Sequence, residues 1–247
     1  LPEVRPSAKP VGKLSAVLAG ECKLGKSVAV CAPVGDNQAS FIGAVGGVSL
    51  GTAVLNLGSG GQISVPCSNL LLANGLETRP LPLGGYILVG ASLCGGLAYA
   101  HLRQFFQAVA REIAGVEISE GEAYSRMNEL ASTADIGSLA ADTRYMGTRG
   151  NPSLRGAFAG IDQQNLTPGN LSRAVLIGMV RELHDMARQN NIDLPGRLVA
   201  SGNGVRKNPL LPRIIQEVFG QPCEISPNLE EAASGAAMAA AKGLGLQ

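Results

Sequence analysis

The sequence predicts an α/β fold, a mixed sheet flanked by helices, and three observations carry that reading. Short runs of β-branched and apolar residues come first, set between Gly and Pro turns, and segments of helical period alternate with strand-like runs after them. Apolar residues make up 45% of the 247 and charged residues 16%, enough to bury a core and far from the composition of a disordered chain. The 33 Gly gather near 43–61, 84–96 and 202–204, so they mark tight loops rather than low complexity.

In order along the chain, residues 1–15 read as a linker, because Pro2, Pro6 and Pro10 crowd it, and residues 16–247 read as one domain. Segments 28–32, 52–57, 62–65 and 86–91 are predicted strands, arranged as a meander. The period then changes. Leu102, Phe105, Phe106, Val109 and Ile113 recur at helical spacing over 97–114, and Gly115 stops the helix. Ser119 and Glu122 form a capping box that opens a second helix running toward Leu130. Residues 132–166 lack periodicity and predict a long loop of functional interest. Thr167-Pro168 caps a helix with Leu171, Val175, Met179, Leu183 and Met186 on one face. A strand at 197–201, a tight loop at 202–204, a helix at 208–219 and a strand at 224–226 follow. The last element is a helix of small residues over 229–242, with Glu230 and Glu231 at its positive end. There is no internal repeat.

Charge and cysteine usage exclude several classes. The net charge of +1, without blocks of like charge, gives no field to attract nucleic acid or a membrane surface. No apolar run reaches the roughly 18 residues of a membrane span, and no signal-peptide pattern opens the chain. Cys22, Cys31, Cys67, Cys94 and Cys223 include no CxxC pair, and His101 and His184 sit in no ligand pattern. We read free thiols, no metal site in the chain and a reducing, cytoplasmic setting.

One stretch matches a phosphate-binding motif formally. Gly20 to Ser27 fits G-x-x-x-x-G-K-[ST], but a working loop needs a strand before it and a helix after it. Here Val28 to Pro33 reads as a strand, so a turn between strands is expected. Gly35-Asp36-Asn37-Gln38-Ala39-Ser40 puts an acid just after a predicted strand, either as a ligand-facing carboxylate or as an ordinary turn or cap. Asn56-Leu57-Gly58-Ser59-Gly60-Gly61 reads as a Gly-rich hairpin whose exposed N–H groups form an anion nest or simply a turn. Gly95-Gly96 opens the 97–114 helix, which admits a phosphate or allows close packing. Ser201-Gly202-Asn203-Gly204, running on to Asn208-Pro209, is a strand, Gly turn, helix transition of the kind that receives a nucleotide.

Taken together, these stretches resemble the C-terminal half of the FGGY carbohydrate kinases, in the family's order and over nearly the whole chain. The stretch from Gly35 to Ser40 matches the family's G-D-x-Q-A-[AS] motif, and Asn56 to Gly60 its phosphate-contacting hairpin. Gly95-Gly96 matches the Gly pair before the next helix, and Ser201 to Asn208 the adenosine-binding turn. Residues 144–160, with Gly147, Arg149, Asn151-Pro152 and Arg155-Gly156, resemble the G-E-R-x-P loop, with Thr148 where the family has Glu. Ala53-Val54-Leu55-Asn56-Leu57-Gly58-Ser59 looks most like the sedoheptulokinase branch.

The resemblance implies an actin/hexokinase-like (ribonuclease H-like) ATPase lobe that phosphorylates a sugar, a ketose such as sedoheptulose, with ATP and Mg²⁺. It implies that Asp36 is the catalytic base and that Gly35 and Asn37 join it at the sugar. Gly58, Ser59 and Gly60 would contact the phosphates. Gly95 and Gly96 would lie beside the nucleotide, and Gly202, Asn203, Gly204 and Asn208 would hold adenosine. No D-x-G-[ST]-[ST] hairpin is present, so the partner expected is an N-terminal sugar-binding lobe that this chain lacks. The isolated lobe would be inactive, and an exposed face where that lobe docks would let two copies pair. The alternative is a non-catalytic nucleotide-binding module without its first lobe; a retained Asp36 favours the enzyme.

Overall fold

The structure, a computed structural model, describes residues 3–25, 27–47, 49–82 and 84–246. It opens with a small unit in which β1 (Pro10–Lys13), α1 (Ala16–Glu21) and β2 (Ala29–Cys31) follow one another, the two strands pairing antiparallel. Within the segment read as a linker, residues 10–13 are therefore a strand, because β2 offers them a ladder. The formal phosphate-loop motif begins in the last two residues of α1 and ends before β2, a helix before and a strand after, which is the reverse of what phosphate binding needs. Its Lys26 lies outside the described residues.

α2 (Asp36–Val45) comes next, a helix that the sequence reading did not anticipate. Its small and apolar residues run all round it, so no stripe announces it, and Gly46 ends it at φ +78°. The hairpin of β3 (Thr52–Leu57) and β4 (Gly61–Cys67) follows, then β5 (Glu77–Pro80) and β6 (Tyr86–Ser92). α3 (Gly95–Val109) passes into a π-helical turn at Ala110–Ala114 that Gly115 closes. α4 (Glu120–Thr133) begins as expected, with Ser119 Oγ accepting from the Glu122 N–H. The long loop that follows contains an antiparallel ribbon, β7 (Ala140–Asp142) with β8 (Ala157–Ala159).

α5 (Pro168–Arg188) is capped by Thr167 Oγ1, which accepts from the Asn170 N–H. After β9 (Arg197–Ser201) the chain turns straight into α6 (Asn203–Lys207), so Asn203 and Gly204 are helical rather than loop. Asn208 is extended, as a residue before proline prefers, and this splits the predicted 208–219 helix. α7 (Leu211–Phe219), β10 (Cys223–Ile225) and α8 (Glu231–Gly243) complete the chain.

The six-stranded sheet has the order β10-β9-β3-β4-β6-β5, parallel across β10, β9 and β3 and antiparallel from β3 to β5. The expected meander is thus real in part: β5 lies outside β6, and β2 belongs to the separate ribbon. Side chains alternate along β3. Leu55 and Leu57 join Ile63, Leu198, Val175, Leu176, Met179 and Leu183 in one core, beneath α5. Val54 faces the other way and packs with Ile87, Val89, Val199, Phe41, Ile42 and Ala239, beneath α2 and α8.

α2 and α8 meet backbone to backbone. A Cβ built at Gly43 would fall 1.9 Å from Glu231 O, and one at Gly235 would fall 1.8 Å from Ala39 O. Only glycine fits at either position.

Candidate functional site

Three turns converge at one end of the sheet: the β3–β4 hairpin tip, the start of α3 and the β9–α6 junction. The Gly96 N–H donates to Gly58 O at 2.9 Å and the Leu97 N–H to Ser59 O at 3.0 Å. A Cβ at Gly96 would lie 2.6 Å from Gly58 O, and one at Gly95 would lie 2.4 Å from Gly60 O. Gly202, at φ +89°, and Gly204 press in the same way on Leu57 O, at 2.7 and 2.6 Å. Close packing explains these glycines. The amides of Gly96 and Leu97 at the start of α3 are thus engaged by hairpin carbonyls, which leaves close approach rather than amide donation as what the Gly pair offers.

Gly58 is different. A Cβ there meets nothing within 4 Å. Packing does not demand glycine at that position, and the space its side chain would take belongs to a cleft.

Two cavities adjoin at this point. The first, about 610 Å³, is lined by Gly58, Ser59, Gly96, Gly202, Asn203, Gly204 and Asn208 from the sequence expectations. Tyr99, Tyr124, Asn128, Leu176, Met179 and Lys207 complete much of its wall. The second, about 470 Å³, holds Asp36, Asn37, Ser40, Gly60, Gln62, Arg79 and Arg149. Asn56 and Gly58 line both. Gly35 and Gly95 line neither: Gly35 is the N-cap of α2, and Gly95 is buried against the hairpin.

Asp36 is the first residue of α2, exposed, with its Oδ1 accepting the Asn37 N–H at 2.7 Å. A helix start placed beside the hairpin delivers this acid to the cavity, not the edge of the main sheet. Asn37 is buried; its Nδ2 donates to Gln62 Oε1 at 2.8 Å, while its Oδ1 has no partner among the described residues. On β5, Glu77 accepts from Arg79 Nη2 at 2.6 Å and also pairs with Arg149. The Arg79 guanidinium, helped by Arg149, holds the Glu77 carboxyl below its usual range. Two guanidiniums thus line the cavity that contains Asp36.

The first cavity carries a polar chain. Asn208 Oδ1 accepts the Leu210 N–H at 3.0 Å and its Nδ2 donates to Asn128 Oδ1 at 3.0 Å, while the Tyr99 hydroxyl donates to the same Asn128 Oδ1 at 2.8 Å. Tyr99 and Tyr124 stack with centroids 5.9 Å apart. Behind the turns, Ser92 Oγ donates to Glu182 Oε2 at 2.8 Å, and burial pushes the Glu182 carboxyl up.

Sequence reasoning missed Arg79, Gln62, Tyr99, Tyr124 and Asn128. Arg79 and Glu77 do show the period of two that marks one face of a strand, on the edge strand β5. Tyr124 and Asn128 stand one turn apart on α4, a spacing that reads equally as an ordinary helix face. Among the described residues no three of His, Cys, Asp and Glu converge; Mg²⁺ in phosphoryl-transfer sites is held by one or two carboxylates together with substrate phosphates and water. No helix among them is long and apolar enough to cross a membrane.

Known proteins share this architecture. Residues 48–244 match the C-terminal domain of the FGGY family of carbohydrate kinases. A glycerol kinase of Myxococcus xanthus (strain DK1622) is 29% identical over 263 residues, covering 100% of this chain and 49% of that protein. The sedoheptulokinase of Mus musculus is 28% identical over 222 residues, covering 86% of this chain and 46% of the relative. The chain therefore spans about half the length of the curated relatives it matches. Among solved structures, xylulose kinase from Rhodospirillum rubrum superposes with a TM-score of 0.79 at 25% identity, over 98% of this chain and 48% of that one. Gluconate kinase from Lactobacillus acidophilus reaches a TM-score of 0.85 at 20% identity, over 100% and 49%, a likeness of fold alone. The fold is the actin/hexokinase-like one. With most of the chain, residues 48–244, matching the family's C-terminal domain, the chain belongs to the FGGY family of carbohydrate kinases.

Proposed function

We propose that this chain is the nucleotide-binding lobe of an ATP-dependent sugar kinase and that Asp36 is its catalytic base. One observation carries the reading: Asn56 and Gly58 line both cavities, so an acid and a glycine-walled cleft meet across an open glycine. ATP would lie in the larger cavity with its triphosphate directed at Gly58, Ser59 and Gly60. The sugar would enter the smaller one against Asp36 and Asn37. Its hydroxyl oxygen forms the new bond to the γ-phosphorus as the bond to ADP breaks, and Asp36 takes the hydroxyl proton. Arg79 and Arg149 supply positive charge on that side, where phosphoryl transfer gathers negative charge.

The acceptor we favour is a ketose of the sedoheptulose kind, acted on in the cytoplasm. The reaction needs an N-terminal lobe to close the sugar site, in keeping with the half-length match to relatives. Val11, Val17, Leu18 and Leu24 are exposed on the N-terminal unit and suit that contact, or the pairing of two copies in the lobe's absence.

The test joins this chain to the N-terminal lobe of a family member and measures ATP-dependent phosphorylation of ketoses. Transfer is expected, and Asp36→Asn should lower kcat by about 10²- to 10⁴-fold with nucleotide affinity kept. Full activity in Asp36→Asn overturns the base assignment. Nucleotide binding without transfer by the joined protein would leave the non-catalytic module as the better reading.

A further inference from the structure

We infer that Asn128 reads the base of the bound nucleotide, donating from Nδ2 to the N1 acceptor of adenine and so selecting adenine over guanine. The inference rests on the nucleotide reading of the larger cavity and adds a residue that the motifs do not contain.

The carrying observation is a chain of fixed amide polarity. The Leu210 N–H is a donor and nothing else, so the atom of Asn208 that faces it at 3.0 Å is the amide oxygen. The other end of Asn208 is then NH₂, and it faces Asn128 at 3.0 Å. That contact fixes the Asn128 oxygen toward Asn208, since the reversed amide would set donor against donor. The Tyr99 hydroxyl, 2.8 Å from the same oxygen, reinforces the choice. Burial raises the Tyr99 phenol far above its usual range, so it stays protonated and able to donate.

With its oxygen doubly engaged, Asn128 has only Nδ2 left to offer the cavity that it lines. The surrounding wall is aromatic and aliphatic, Tyr124, Leu176, Met179 and Leu211, and suits the flat faces of a base. Asn128 belongs to the larger cavity only, whereas the phosphate end lies at Gly58, shared with the Asp36 cavity. A base reaching away from Gly58 leads with the edge farthest from its sugar. On that edge adenine has an acceptor at N1, where guanine has an N–H. At N1 a fixed donor pairs with adenine and opposes guanine, whose O6 acceptor on the same edge lies where adenine carries its N6 amine.

Titration calorimetry of the whole chain tests this with ATP, GTP, 1-deaza-ATP and 7-deaza-ATP. The wild type should bind ATP, bind 7-deaza-ATP comparably, and lose about tenfold or more with 1-deaza-ATP and GTP. Asn128→Asp keeps an oxygen for Tyr99 and Asn208 and presents a second one to the base. It should weaken ATP about tenfold or more and strengthen GTP relative to wild type. ATP binding with 1-deaza-ATP equal to ATP, or with the Asn128→Asp preference unchanged, overturns the inference and leaves the nucleotide site standing. A wild-type chain that binds no ATP overturns both. The analogue series needs no variant, so it decides the matter even if Asn128→Asp folds poorly.

Discussion

On one face of the sheet α5 lays Val175, Leu176, Met179 and Leu183 against Leu55, Leu57 and Ile63, and the contact is made by side-chain volume. On the other face α2 and α8 touch through Gly43 and Gly235, and the seam is made by the absence of side chains. Volume-based packing stabilises by removing apolar area from water, and its cost of failure is a cavity. A glycine seam gains dispersion contacts over backbone and fixes distance, and its cost of failure is displacement. The face that fixes distance is the one that carries Asp36. The base proposed at Asp36 has to stand within hydrogen-bond reach of its proton, so position would count for more there than depth of burial.

Filling or emptying single positions on each face separates the two modes. Leu183→Ala should cost about 2–5 kcal/mol of stability, since Leu183 is fully buried and the sheet cannot collapse into the void. Gly235→Ala should cost about 1–3 kcal/mol, because a Cβ 1.8 Å from Ala39 O forces α8 off α2. The gain in helix propensity, about 1 kcal/mol, does not offset a clash with backbone. Urea unfolding measures both. The two variants should part in function: in a protein supplied with its N-terminal lobe, Gly235→Ala lowers kcat and leaves nucleotide affinity near wild type. Equal loss of kcat in Leu183→Ala at matched stability would break the division between the faces.

The same division explains what the sequence disclosed. α5 was legible because Val175, Met179 and Leu183 recur at helical spacing behind a Thr-Pro start. α4 was legible by its cap, and β3 and β9 by their β-branched and apolar runs between glycines. α2 was not, because a helix packed through glycine and alanine has no stripe, and its Gly43 looks like a turn. β5 was hidden for a related reason: an edge strand with charged residues carries little apolar pattern. At the site, the glycines and Asp36 could be named from motifs, but not which glycines merely let backbones touch. Arg79, Tyr99 and Asn128 reach the cavities through tertiary placement, which no local spacing announces.

Gly58 and Gly96 sharpen the contrast at the cleft itself. Gly96→Ala places a methyl 2.6 Å from Gly58 O and should destabilise by about 1–3 kcal/mol. Gly58→Ala meets open space, so its stability should stay within about 0.5 kcal/mol of wild type. Its ATP affinity should nevertheless fall about tenfold, because the methyl occupies the junction of the two cavities. Thermal unfolding with and without ATP reads both terms. A Gly58→Ala chain that binds ATP like wild type would return Gly58 to the class of ordinary turn glycines.

The smallest effect is expected at Glu182, a carboxylate on the α5 face. Its carboxylate accepts from Ser92 Oγ behind the hairpin, and burial holds its proton to a higher pH than in the unfolded chain. The folded state therefore binds more protons than the unfolded one over that window, and its stability falls as pH rises from the ordinary Glu range through the raised value. Glu182→Gln keeps an oxygen for Ser92 and removes the ionisation. The variant should gain on wild type as pH rises toward neutrality and converge with it in acid. Melting temperatures of the two proteins from acid to neutral pH show the divergence directly. Parallel curves would mean that Ser92, Thr143 and Arg144 already solvate the charge, and that even this carboxylate on the volume-packed face is held by position rather than strained by burial.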